Sequence, residues 1–363
     1  MRRVLTCALL LLAAAAPARA WGDRGHELVS EAAARGLPAG APALLRENVA
    51  RLTYLGPEPD RWRISALEAM SKGLAPDHFV DLEIAKGIDP ARPPANRHEY
   101  ARRLVAEGQD PEKVGFAPYR VVELCQRIEA AVVALETIDP AHPDAAARRR
   151  QAEENLIYAA GVLGHYVADL ANPHHTTIHY NGWTGDNPEG FATDKGTHAR
   201  FESDFVSRLG DRLVVPALPP AKDDLDYARA IWDLVLESNG LVRDLYRLDK
   251  RGAFTEGNEA TPVGEEGRAF VAARMQRGAA LLRDLWVTAC AKGAARAATE
   301  RLKWTIIRAL EAHGVRLWVD VSPSRSVTLR GRVSDPALLA RALEVARAVP
   351  GVERVTARVE VLY

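Results

Sequence analysis

Between residues 21 and 290, apolar side chains recur every three or four positions, the spacing that gathers them on one face of an α-helix. The pattern predicts helices over 23–35, 41–52, 61–72, 118–137, 145–171, 197–209, 223–246 and 264–290. Long segments carrying Pro and Gly separate several of them, notably 73–97, 172–196 and 248–262; loops of that length usually shape a site. No segment here alternates clearly, so this part is expected to be all-α. Its strongest run is Ala145 to Leu170, which lacks Gly or Pro before Gly161 and is ended by Pro173.

After Cys290 the rhythm changes, and residues 291–295 read as a boundary that a continuous helix could also cross. Helical spacing over 301–312 gives way to two alternating runs, 315–321 and 327–333, joined by a turn at Ser322-Pro323-Ser324-Arg325-Ser326. A helix over 336–349 and a strand over 353–362 complete an αββαβ order. With Val327-Thr328-Leu329-Arg330-Gly331-Arg332-Val333 and Val349-Pro350-Gly351-Val352-Glu353-Arg354-Val355, this tail resembles a BON domain over residues 296–363. The fold class expected is therefore mainly all-α with a small α+β tail. The resemblance implies an envelope protein in contact with phospholipid surfaces, where Arg316, Arg330, Arg332, Arg354 and Arg358 would meet anionic head groups. Alternating arginines equally keep an exposed sheet soluble.

A length of 363 residues suits about two domains. Lys plus Arg and Asp plus Glu number 48 each, so no broad basic surface argues for a polyanionic partner. Residues 1–20, MRRVLTCALLLLAAAAPARA, read as a secretory signal peptide with a small-x-small cleavage site at Ala18-Arg19-Ala20. The product is then periplasmic or extracellular, with no spanning helix after the leader. Cys125 and Cys290 remain downstream of it; they fit a disulfide or two buried thiols equally well.

The chemistry lies in the histidines, of which there are ten. His165 and Asp169 stand four apart on one helix face, and His198 and Glu202 repeat the spacing. His175 follows just past the helix stop at Pro173, with His174 as its competitor and His179 as a further decoy. Asp60 and His78 add one carboxylate and one imidazole upstream. Cleavage after Ala20 would free the Trp21 amine, which with its own carbonyl can chelate a metal together with His26. Singly, each piece also reads as a surface hydrogen bond or a core histidine. Jointly they exceed the roughly four donors of one tetrahedral zinc and imply two or three ions. Imidazole and carboxylate without thiolate favour zinc.

The same residues resemble the zinc-dependent phospholipase C family, which shares its fold with single-strand-specific zinc nucleases. The resemblance covers roughly residues 21–290 and rests on Trp21, the run His165/Asp169/His175, the run His198/Glu202, Gly164-His165-Tyr166, and Arg274-Met275-Gln276-Arg277-Gly278 to Leu285-Trp286. It implies three zincs: one on Asp60, His78, His165 and Asp169; one on His175, His198 and Glu202; and one on Trp21 and His26 with Asp169 as a bridge. Asp60 is the candidate to orient or deprotonate the attacking water.

Zinc lowers the pKa of bound water from about 16 to near 7, and a pair of ions can clamp a phosphodiester. No Ser/His/Asp elbow, phosphate-binding Gly loop or dinucleotide fingerprint competes, so no small organic cofactor is expected. Glu202, where the nucleases use Asp, and Asn181-Gly182-Trp183 in place of a Gly-Gly-Asn stretch favour phospholipid as substrate. The alternatives are a zinc nuclease or 3'-nucleotidase, for which nucleic acid is the partner, and a metal-binding envelope protein without activity. Trp62 and Trp183 read as packing residues that could also line a cleft.

Overall fold

A computed structural model describes residues 21–362; the leader expected at 1–20 lies outside the described residues. In chain order the α-helices are α1 (Gly22–Arg35), α2 (Ala43–Glu47), α3 (Val49–Leu55), α4 (Glu58–Arg61), α5 (Glu68–Ser71), α6 (Arg97–Ala106), α7 (Pro111–Val114), α8 (Ala117–Glu136), α9 (Ala145–Ala171), α10 (Thr197–Ala199), α11 (Phe205–Leu209), α12 (Tyr227–Gly240), α13 (Val242–Lys250), α14 (Pro262–Ala312) and α15 (Pro336–Ala348). The strands are β1 (Trp318–Val321), β2 (Ser326–Val333) and β3 (Arg354–Val361).

The centre of the helical part is α9. Every residue from Ala159 to Thr177 is buried, so the second half of this helix is enclosed on all sides by α1, α3, α8 and α14. Two glycines permit that approach. A Cβ on Gly161 would lie 2.4 Å from the Leu55 side chain, and one on Gly164 2.7 Å from the Ser30 hydroxyl. This close packing holds the polar end of α9, with His165 and Asp169, deep inside the molecule.

Several expected helices differ from those observed. The run 41–52 breaks at Asn48, whose Nδ2 donates back to the Leu44 carbonyl and competes with the helical ladder. The expected helix at 61–72 is two four-residue turns, α4 and α5, joined by an exposed loop; Trp62 packs on the core, but Ile64, Leu67 and Met70 stay exposed. The run 223–246 begins only at Tyr227, capped by the Asp226 carboxylate, and is interrupted at Leu241. Helices α6 and α7 were unforeseen, though Asn96 and Asp110 cap them through side-chain oxygens. Across 197–209 the helix opens into a π turn at Arg200–Asp204. Such turns are rare and concentrate at functional sites.

At 291–295 the chain does not break: α14 runs unbroken for 51 residues from one core into the next. The large apolar core ends along α14 at Cys290, and a second begins at Ile306. The second core joins α14 to α15 and the inner face of a sheet ordered β1-β2-β3. β1 and β2 form the expected hairpin, while β3 runs parallel to β2 with α15 as the crossover. On the sheet's outer face Trp318, Arg330 and Arg358 lie in one row. Both cysteines are buried free thiols, the second of the two readings.

Candidate metal centre

Six separate segments bring the donors together. α1 carries His26, α4 carries Asp60, a 3-10 turn at Ala75–His78 ends on His78, and the last two turns of α9 carry His165 and Asp169. A second 3-10 turn, Pro173–Thr176, places His175, and the α10–π segment places His198 and Glu202. All eight side chains are buried, His198 being the most exposed at 9%.

They form two sets. In the inner set, His78 Nδ1, His165 Nε2 and Asp169 Oδ2 stand at the corners of a triangle with sides of 3.0, 3.0 and 3.2 Å. His26 Nε2 approaches the other Asp169 oxygen at 3.4 Å, and Asp60 Oδ1 lies 3.8 Å from His165 Nε2. In the outer set, His175 Nε2, His198 Nε2 and Glu202 Oε2 make a second triangle with sides of 2.8, 3.2 and 3.5 Å. Donors bound to one tetrahedral zinc at about 2.0–2.2 Å lie about 3.3 Å from each other. Both triangles have that size.

Hydrogen bonding behind the rings fits the same purpose. His165 Nδ1 lies 3.0 Å from the Gly56 carbonyl, and His175 Nδ1 lies 2.9 Å from the His78 carbonyl. A carbonyl only accepts, so each Nδ1 carries a proton and each Nε2 faces its triangle, where in the neutral ring it offers a lone pair. Asn172 Nδ2 donates to Glu202 Oε2 at 2.8 Å. Meanwhile both His26 ring nitrogens, both Asp60 oxygens, Asp169 Oδ1 and Glu202 Oε1 are buried with no hydrogen-bond partner. Orphaned donors at that density are costly unless a cation takes them. The residues present fit divalent metal.

The electrostatics separate the sets. Burial holds His26 well below the usual imidazole range and lowers His78 to about 4, so both are neutral near pH 7. Burial raises Asp60 to about 6. For His175, burial opposes the charge, but Asp169 and Glu202 outweigh it and raise the ring to about 9. Asp169 is pushed well down despite its burial, by His165 and His175.

Trp21 is buried beside this centre: its indole Nε1 donates to the Ala168 carbonyl at 2.7 Å, and its ring packs 5.3 Å from Phe201. Its own carbonyl accepts the first bond of α1, from Gly25 N at 3.1 Å. His174 is buried with both ring nitrogens unpaired but stays outside the triangles, and His179 stacks on Trp183 away from them. The outer set opens into a cavity of about 600 Å³ lined by His78, His175, His198 and also by Arg63, Asp81 and Tyr180. Arg63 and Asp81 were not singled out from the sequence. Arg63 sits three residues after Asp60 with its guanidinium 3.7 Å from that carboxylate, a spacing that was open to reading. Trp62 and Trp183 pack against the core, and neither lines this cavity.

No curated protein matches the chain. Residues 295–363 match the BON domain family, and the observed βα arrangement after α14 agrees with that match: the C-terminal region of this protein is a BON domain.

Proposed function

We propose that this protein is a secreted zinc-dependent phosphodiesterase whose substrate is a phospholipid, cleaved at the glycerol–phosphate bond as in phospholipase C. The reading is carried by one observation: two triangles of buried imidazole and carboxylate donors beside a cavity that Arg63 also lines. Asp60, His78 and His165, with Asp169 against both rings, would hold one ion, and His175, His198 and Glu202 a second. His26, with Asp169 and the main chain of Trp21, would hold a third.

Zinc at these positions supplies Lewis acidity toward a phosphoryl oxygen and toward water. The chain's own residues do the rest. Arg63, on the cavity wall, offers a fixed positive charge to a phosphate oxygen. Asp60, buried and without a hydrogen-bond partner, is placed to orient water and take its proton. Phe79, Ile84 and Ile178 give the cavity apolar walls that exclude bulk water from the reacting group.

The BON domain supports contact with a membrane. On its outer face Arg330 and Arg332 are tied to Asp320 and Glu360, while Arg358 shares a row with Trp318, which is 79% exposed, and Arg354 lies further along β3 on the same face. That combination suits an anionic lipid surface.

Elemental analysis of the processed protein, followed by turnover assays on phospholipid vesicles and on single-stranded DNA, tests the reading. Expected are about three zincs per chain and release of diacylglycerol that chelation abolishes and zinc restores. Cleavage of DNA but not lipid selects the nuclease. Bound zinc with no turnover on either makes the centre structural.

A further inference from the structure

Loop 62–74 departs from the rule that apolar side chains seek cover. Ile64, Leu67 and Met70 recur every third residue and are 53%, 48% and 38% exposed. The loop is nonetheless ordered by its own backbone: Leu67 N bonds to Ile64 O, Met70 N and Ser71 N to Leu67 O, and Leu74 N to Met70 O. Its polar main chain is thus largely satisfied internally, as entry into an apolar medium requires. The charges beside its tip are paired as well. Lys72 pairs with Glu68 at 2.6 Å and Arg61 with Glu58 at 3.0 Å, while Arg63 belongs to the cavity wall rather than to the tip. What the loop presents outward is an electrically balanced apolar tip.

Its position gives that tip a use. The residues at its two ends, Arg63 and Ala75, both line the 600 Å³ cavity of the metal centre. Tyr180, 51% exposed, stands on the same cavity. The loop therefore springs from the rim of the entrance. We infer that Ile64, Leu67 and Met70 insert into the surface of a phospholipid bilayer and seat the cavity mouth against it. A balanced tip gives no purchase to a polyanion such as nucleic acid, whereas the headgroup–acyl boundary accepts apolar and aromatic side chains without net charge. The inference rests on the phosphodiesterase reading for its purpose, though not for its measurement.

Since the tip from Ile64 to Met70 carries only Glu68, which is paired with Lys72, its docking is insensitive to salt, unlike contact through the arginines of the BON sheet. The experiment is co-sedimentation of the metal-loaded protein with net-neutral phosphatidylcholine vesicles at about 0.5 M NaCl, where screening within about 4 Å silences arginine contacts. Wild type is compared with the triple variant Ile64→Ser, Leu67→Ser, Met70→Ser, and with the milder single variant Leu67→Lys. Expected is a loss of vesicle binding of about fivefold or more in the triple variant and a smaller loss in Leu67→Lys. Hydrolysis of vesicle lipid falls in parallel, while turnover of a soluble short-chain phosphodiester stays within about twofold. Vesicle binding equal in wild type and both variants overturns the inference, as does equal loss on soluble and vesicle substrates. A protein that binds vesicles through the loop but turns over no diester keeps this inference and loses the phosphodiesterase.

Discussion

The two donor triangles are built from the same groups yet held by different means. The inner one lies deep at the end of α9, meets the cavity through His78, and shares its members: Asp169 touches His26, His78 and His165. The outer one hangs on two irregular segments, a 3-10 turn and a π turn, and borders the cavity. The inner set is anchored on a rigid core element through His165 and Asp169, whereas every member of the outer set comes from short turns. Rigidity favours retention, while an open border favours chemistry. The inner ion is expected to persist and the outer one to exchange.

Asp169→Asn breaks this comparison most severely, because one carboxylate serves three imidazoles. Expected is loss of the ions held by the inner set, activity below detection, and a cost of about 3–5 kcal/mol, typical of removing one partner from a buried charge cluster. Elemental analysis and thermal unfolding measure both. Full zinc content in this variant would mean that the inner triangle is not a binding site. His198→Ala should act on one side only. It removes a corner of the outer triangle, so about one ion is lost and turnover falls about 10²–10³-fold, since a catalytic ion is worth several kcal/mol. The inner ions stay, and retention of full rate counts against the mechanism.

A subtler change tests whether the outer set depends on its turns. Asn172 is the hinge residue after α9; its Nδ2 holds Glu202, while its side-chain oxygen accepts from His174 N and shapes the 3-10 turn of His175. Asn172→Ala should weaken zinc at the outer set about 10–100-fold, the usual effect of losing a partner behind a ligand. Competition with a chromophoric chelator reads this directly. Inner affinity is expected to stay unchanged.

The two sets were also unequally legible in the sequence. His165/Asp169 and His198/Glu202 announced themselves by four-residue spacing, and the long apolar run of α9 showed where the first pair would sit. Asp60 and His78 had no such pattern; they lie on a four-residue helix and a 3-10 turn, and only the fold brings them within 4 Å of His165. Arg63 went unmarked because a guanidinium gains meaning from the cavity it faces. Expected helix 61–72 failed for a related reason: periodic apolar residues imply a buried face only when a neighbour exists to cover it. The BON domain was read closely, strand by strand, since its alternation is local. The parallel pairing of β3 with β2 was not read, because pairing partners are set by tertiary contact rather than by the strand's own pattern.

The smallest expected effect distinguishes the sets by their protons. Ligation needs the neutral imidazole, so each ring that is protonated before binding must release its proton to the solvent. In the inner set His26 and His78 are already neutral at pH 7, held so by burial, and only His165 is raised. In the outer set Asp169 and Glu202 hold His175 at about 9, so it carries a proton throughout the neutral range. Below pH 9 the proton competes with the ion, and zinc affinity at the outer triangle should fall about tenfold for each unit of acidification between 9 and 7. Above 9 it should level off, with the ring already neutral. Chelator competition at pH 7, 8 and 9, in wild type and in His198→Ala as the control lacking the outer site, isolates this slope. A flat outer affinity across that window would mean that His175 binds zinc without displacing a proton, and that Glu202 rather than the imidazole pair sets the strength of the site.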